Sequence, residues 1–198
     1  MKKNTAELLA LIHSAWQAGL FQGTNGNASL LLADTSRIAI TRSGCTKGVA
    51  TEDDISFLDL LSGESEGAPV STEVHMHKTL YEMASCRCVL HTHPTHVLAV
   101  DVLNLWNALW DLPLYEARMM KDAQCVVPAY PPGTPKLRDA VRQTLKEHFK
   151  THPAMRESGI LLLHEHGLCT WGKNTAQALA LTEQVEHLAA IELLVHHA

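Results

Sequence analysis

His91-Thr92-His93 closes an apolar run that begins at Arg87 and ends at Pro94. Residues i and i+2 of a strand project from the same face, so both imidazoles point one way. A third histidine, His166, arrives at the end of a second apolar run, Gly159 to Leu163, and is followed by Gly167. Three neutral imidazoles leave a fourth position open, which is the donor set of a catalytic rather than a structural divalent-metal site. Ordinary core or surface histidines also meet this spacing, and a chain with 13 histidines holds accidental pairs. The metal reading therefore needs support from other segments.

Three small-residue segments offer it. Thr24-Asn25-Gly26-Asn27-Ala28-Ser29 is a turn whose glycine, amides and hydroxyls expose backbone N–H groups, which suits an anion such as phosphate. Thr41-Arg42-Ser43-Gly44 is a second turn of this kind. Ser71-Thr72-Glu73 stands at a helix start, where backbone N–H groups and the helix dipole attract anions. Each is also readable as a plain turn or a plain cap with a favourable first-turn Glu.

The elements that must position these groups follow from periodicity. Asn4 or Thr5 caps a first helix with Leu8, Leu11, Ile12, Ala15 and Trp16 on one side, stopped near Gly19. Ala28 to Leu32 and Arg37 to Thr41 read as a hairpin around Asp34-Thr35-Ser36, and Ile55 to Leu60 as a third strand. Ser71 or Thr72 caps a helix with the stripe Val74, His77, Tyr81 and Ala84. A helix from Thr95 to Val100 follows the His91 strand. Leu103 to Trp110 is apolar without a clear period. Ala123 to Pro128 reads as a strand and Lys136 to Lys150 as a helix. The Ile160 strand leads to a last helix capped by Asn174, with Gln177 completing a capping box and Leu181, Val185, Leu188, Ile191 and Val195 buried. Paired strands first and alternating elements later predict an α/β fold, a mixed sheet with helices on both faces.

Composition narrows the class. The 198 residues suit one domain, 1–198, and 46% hydrophobic with 19% charged residues predicts a folded globular chain. A net charge of −5 argues against a nucleic-acid footprint. No run approaches membrane-spanning length and no signal-peptide pattern opens the chain, so a cytoplasmic protein without a membrane partner is expected. The five cysteines, Cys45, Cys86, Cys88, Cys125 and Cys169, lack C-x-x-C spacing and read as small buried hydrophobes.

Taken in order, G-T-x-G-N-x-S, T-x-S-G, S-[ST]-E-x-x-x-H, H-T-H and H-G resemble the class II aldolase/adducin family, from about Gly23 to the last helix. The resemblance implies a three-layer α/β/α fold with a central, largely antiparallel sheet, and a homotetramer with active sites between subunits. It implies His91, His93 and His166 as ligands of zinc or another divalent metal, and Glu73 as the acid/base, its pKa raised by burial. Gly26, Asn27, Ser43, Gly44, Ser71 and Thr72 fall where the family holds a substrate phosphate. Tyr115 lies near the position of a catalytic tyrosine. The implied activity is aldol cleavage of a small-molecule ketose 1-phosphate to dihydroxyacetone phosphate and an aldehyde through a metal-stabilised enediolate. The same family also implies methylthioribulose-1-phosphate dehydration, pentulose-phosphate 4-epimerisation and non-enzymatic adducin-like interaction. Lys47 resembles the dehydratase branch; Pro131 to Leu137 and Glu186-His187 resemble the aldolase branch, which is the preferred reading. Adducin-like members lack the metal histidines present here. Among the other histidines, His164 shares strand parity with His166 and could compete as a ligand, His77 reads as a core residue, His96 as supporting or solvated, and His196 and His197 as terminal.

Overall fold

The two apolar runs that carry the histidines lie one strand apart in a single sheet. The computed structural model describes residues 2–33 and 35–196, so Asp34 of the expected turn and His197 lie outside the described residues. The strands are β1 (Asn27–Leu31), β2 (Arg37–Thr41), β3 (Ile55–Asp59), β4 (Ser65–Glu66), β5 (Cys88–Thr92), β6 (Gln124–Val127), β7 (Gly159–Leu163) and β8 (Gly167–Gly172). Their order is β4-β3-β2-β1-β5-β8-β7-β6. Among the described residues only β6 and β7 pair in parallel; the rest of the sheet is antiparallel. The helices are α1 (Lys2–Gln17), α2 (Val74–Met83), α3 (Thr95–Val102), α4 (Trp106–Asp111), α5 (Tyr115–Met120), α6 (Pro135–Thr151) and α7 (Thr175–His196).

Strand parity explains the layers. Cys88 and Leu90 pack with Leu8, Ile12 and Ala28 beneath α1, whereas Val89 packs with Leu80 of α2 and Val141 of α6. Ile160, Leu162 and Leu168 meet α3, α4, α5 and α7, while Leu161, Leu163 and Trp171 face α2 and α6. A strand covered on both faces has no polar side to show, and all five residues of β5 are buried. His91 shares the parity of Val89, so its ring emerges on the α2/α6 face.

Several elements differ from expectation. The helix α1 starts at Lys2, ahead of Asn4 and Thr5. Trp16 is 46% exposed although Leu8, Leu11, Ile12 and Ala15 are buried, because its ring lies over Gly48 rather than in the core. The strand β8 intervenes between the Ile160 strand and the last helix: Gly-Leu-Cys-Thr-Trp-Gly has no alternation to mark it, since both faces are buried. Its one hydroxyl, on Thr170, is satisfied by the Ala178 carbonyl and the Thr182 hydroxyl of α7. The helices α4 and α5, six residues each, are too short to hold by propensity and form by packing Trp106, Leu109, Trp110 and Ala117 against the α7 side. Asn174 caps α7 by accepting from the Gln177 N–H at 2.8 Å, but the Gln177 side chain accepts from Lys173 N–H and not from its cap.

All five cysteines are buried free thiols, as their composition suggested. No helix among the described residues is long and apolar enough to cross a membrane.

Candidate active site

The ends of β5 and β8 bring the three histidines together. Their ring centroids form a triangle with sides of 4.9, 4.9 and 5.2 Å. One ligand atom from each of His91, His93 and His166 lies within 4.8 Å of the others. His91 is fully buried, and its Nδ1 lies 3.0 Å from the Leu168 carbonyl, to which it donates. That contact fixes the tautomer and leaves the Nε2 lone pair facing His93 Nε2 at 3.1 Å. Tetrahedral zinc–nitrogen bonds of about 2.0–2.1 Å would set two such nitrogens about 3.3 Å apart. Burial, with lesser repulsion from His91 and His166, pushes the His93 pKa down to about 3, so the ring is neutral and able to donate its lone pair.

His166 does not sit on a strand. The strand β7 ends at Leu163, and His164-Glu165-His166 form the turn into β8, with Glu165 at a left-handed φ of 59°. The turn cancels the parity that made His164 a competitor. Its Nδ1 instead meets Asp101 Oδ1 at 2.6 Å, and the Glu165 N–H donates to Asp101 Oδ2 at 2.7 Å. Buried Asp101 of α3 thus braces the turn, and the hydrogen bond to it raises the His164 pKa.

Gly167 makes the approach possible. A Cβ there would lie 2.7 Å from the Thr92 carbonyl oxygen, 3.0 Å from His93 Cδ2 and 3.2 Å from His91 Cε1. The H-G motif is therefore a packing requirement of the histidine triangle. Gly167→Ala is expected to lose about 1–3 kcal/mol of stability through overpacking and to hold a divalent ion more weakly, measured by denaturation and by metal titration. Gly26 plays the matching part just ahead of β1: its φ is +73°, and a Cβ would lie 2.5 Å from the His91 carbonyl oxygen.

Glu73, 8% exposed, stands over the triangle. Its Oε2 is 3.2 Å from His91 Nε2, and its Oε1 is 3.1 Å from His166 Nε2. The latter contact lacks hydrogen-bond geometry, so Oε1 is buried without a hydrogen-bond partner. Buried orphan polar atoms are rare. A carboxylate oxygen left unpaired beside three imidazoles fits a divalent cation, so these residues suit the metal that the sequence pattern implied. Burial raises the Glu73 pKa, and the positive charge that His91 and His166 carry when protonated lowers it further than burial raises it, so the carboxyl lies well below the usual carboxylate range. This corrects the expectation of a raised pKa: burial acts as anticipated, and the adjacent rings outweigh it.

A cavity of about 230 Å³ opens beside Glu73. All six residues singled out for phosphate, Gly26, Asn27, Ser43, Gly44, Ser71 and Thr72, line it, together with His93 and His166. Ser71 Oγ accepts from the Glu73 backbone N–H at 3.3 Å, fixing the turn that leads into α2. The Asn27 side chain donates from Nδ2 to Glu73 Oε2 at 2.9 Å, and its carbonyl oxygen accepts from His77. Thr24, Asn25 and Arg42, which belong to the two anion-suited turns but are not among the phosphate residues the family resemblance implies, also line the cavity. Arg42 is anchored to Asp54 at 2.7 Å. Lys47, 1% exposed, donates from Nζ to the Thr24 carbonyl at 2.7 Å, which sets a buried cation behind the first turn. A second cavity of about 300 Å³, lined by Tyr130, His164 and Glu165, shares Pro132 and His166 with the first. Tyr115 lines neither: it opens α5 and is 67% exposed.

Residues 6–193 match the Class II Aldolase and Adducin N-terminal domain family. The chain belongs to that family. Among its relatives, the methylthioribulose-1-phosphate dehydratase of Methylococcus capsulatus is 31% identical over 185 residues, 90% of this chain and 87% of the relative. The L-fuculose phosphate aldolase of Escherichia coli K12 is 31% identical over 176 residues, 88% of this chain and 75% of the relative. The sugar-phosphate aldolase structure from Thermotoga maritima superposes with a TM-score of 0.82 at 20% identity, covering all of this chain and 96% of the other, which shows the shared fold. The class II aldolase fold, a sheet between helical layers, is thus the fold of this chain, and the named relatives are lyases.

Proposed function

We propose that this chain is a metal-dependent class II sugar-phosphate aldolase that cleaves a ketose 1-phosphate to dihydroxyacetone phosphate and an aldehyde. The convergence of three imidazoles, one orphaned carboxylate oxygen and the small-residue turns on a single cavity supports this reading. In this reading His91, His93 and His166 hold zinc or another divalent ion. Such an ion supplies Lewis-acid stabilisation of the negative charge that develops on the substrate oxygens.

The protein's own groups do the rest. Gly26, Ser43, Gly44, Ser71 and Thr72 present N–H and O–H donors to the phosphate, with Arg42 and Lys47 adding positive charge behind them. This remote binding orients the sugar across the histidines towards the second cavity. Glu73 stands as a carboxylate and is the group that moves the proton at the enediolate carbon. Tyr115, exposed on α5, is available to the site of a neighbouring subunit in a homotetramer. The substrate is a small molecule, the partner surface is not for nucleic acid, and the location is the cytoplasm.

The second reading is methylthioribulose-1-phosphate dehydration, supported by Lys47, which the family resemblance ties to that branch, and matched as well in identity, 31% over 90% of the chain, as the aldolase reading. Both use the same metal histidines and Glu73. Mass spectrometry of products from fuculose-, ribulose- and methylthioribulose-phosphates separates them: dihydroxyacetone phosphate marks the aldolase, and loss of water without carbon–carbon cleavage marks the dehydratase. Inorganic phosphate is expected to inhibit competitively in either case. Unphosphorylated sugars turned over as well as their phosphates would remove the anion pocket from the mechanism.

A further inference from the structure

Behind Glu73 a row of buried and part-buried polar side chains, starting at Asn27 in the cavity wall, joins β1 to α2. Asn27 Nδ2 donates to Glu73 Oε2 at 2.9 Å, His77 Nε2 meets Asn27 Oδ1, Ser29 Oγ lies 2.6 Å from His77 Nδ1, and Tyr81 OH lies 2.8 Å from Ser29 Oγ. The spacing follows from the elements. Asn27 and Ser29 share one face of β1, while Glu73, His77 and Tyr81 recur every four residues along the start and length of α2. Ser29 and His77 are fully buried. No function named so far uses His77, Ser29 or Tyr81.

The direction of every hydrogen bond in the row is determined by its end. A carboxylate only accepts, so the amide nitrogen of Asn27 must face Glu73 and its carbonyl must face His77. That carbonyl needs a donor, which places the His77 proton on Nε2. Burial pushes the His77 pKa down to about 3, so the ring carries a single proton and Nδ1 must accept. Ser29 is then the donor to Nδ1, and its oxygen accepts at 2.8 Å from Tyr81, whose phenol burial keeps protonated and whose other acceptor, the Arg87 carbonyl, lies farther off at 3.5 Å. Each link donates towards Glu73 and none runs back.

We propose that Tyr81, Ser29, His77 and Asn27 form a one-way hydrogen-bond chain that orients Glu73, occupying Oε2 and leaving Oε1, beside His166, free of hydrogen bonds. His77 is the positioning residue on which the polarity turns, since it alone in the row has a choice of tautomer. The chain explains why a histidine occupies a fully buried core position where an apolar residue would pack at lower desolvation cost. It also explains why both ends of the Asn27 amide are spent within the protein. The role in catalysis rests on the reading of Glu73 as acid/base; the polarity of the chain does not.

Two measurements test it. Two-bond nitrogen–proton correlation on ¹⁵N-histidine-labelled protein, without added metal, should show His77 as the neutral Nε2–H tautomer; an Nδ1–H tautomer or a protonated ring at neutral pH overturns the chain. In the metal-loaded protein, His77→Leu should lower kcat about 10–100-fold, the usual cost of removing a group that orients a reacting residue, with KM and metal content unchanged. His77→Gln, whose amide can still donate to Asn27, should recover part of that loss, and Tyr81→Phe should show a smaller loss in the same direction. A folded His77→Leu or Tyr81→Phe protein that melts at a lower temperature yet turns over as wild type makes the row structural only and overturns the proposal. If Glu73→Gln itself retains full turnover, the acid/base reading fails while the tautomer result still stands, so the two failures are told apart.

Discussion

Glu73→Gln is expected to bind its divalent ion and inorganic phosphate normally and to lose roughly 10²–10⁴-fold in turnover, the usual worth of a positioned acid/base. The substitution keeps the shape of the side chain, and a glutamine oxygen can still accept from Asn27 Nδ2, so the row behind it survives. What is lost is the ability of the group to take and return a proton. If Glu73 were merely a first-turn residue at the start of α2, its value would be about 0.3–1 kcal/mol through the helix dipole, and the variant would stay within a few-fold of wild type. The discriminating half-reaction is exchange of the labelled proton of dihydroxyacetone phosphate, which reports the enediolate without the aldehyde. Wild-type protein exchanging it while the variant does not supports the aldolase reading. A variant that exchanges within a few-fold of wild type removes Glu73 from the chemistry.

The second large effect concerns the imidazoles. Purified protein is expected to bind about one zinc or similar ion per chain, and His91→Ala, His93→Ala and His166→Ala should each bring bound metal to trace levels and abolish turnover. His164→Ala is the internal control. It shares with His166 the turn into β8, but its ring is directed to Asp101, which still holds the Glu165 N–H when the ring is gone. Metal analysis should therefore find that variant loaded. Full occupancy in His166→Ala, or loss in His164→Ala with His166→Ala intact, would reverse the assignment of the third ligand.

Much of the site was legible in the order of residues. His91 and His93 are bound to share a face once Cys88 to Thr92 is a strand, because the backbone period is two. The strand Arg37–Thr41 and the cap at Asn174 follow from local chemistry that depends on few distant contacts. The small-residue turns announce exposed N–H groups, and the six residues within them that the family resemblance implies for phosphate all line one cavity.

What depends on distant partners was decided only by the tertiary structure. His164 and His166 have the same parity on paper; a left-handed turn at Glu165, braced by Asp101 from α3, sends them apart. The strand β8 carries no alternation, because burial on both faces removes the signal that a half-exposed strand would show. Asn27 has the composition of a ligand-binding turn residue, yet its amide is committed to Glu73 and His77 across the β1–α2 junction. The charge state of Glu73 likewise turns on competition: burial raises its pKa, and two imidazoles brought in from residues 91 and 166 lower it further than burial raises it. Residue types and spacings named the groups that could do chemistry; three-dimensional packing decided which atom of each group was left free to do it.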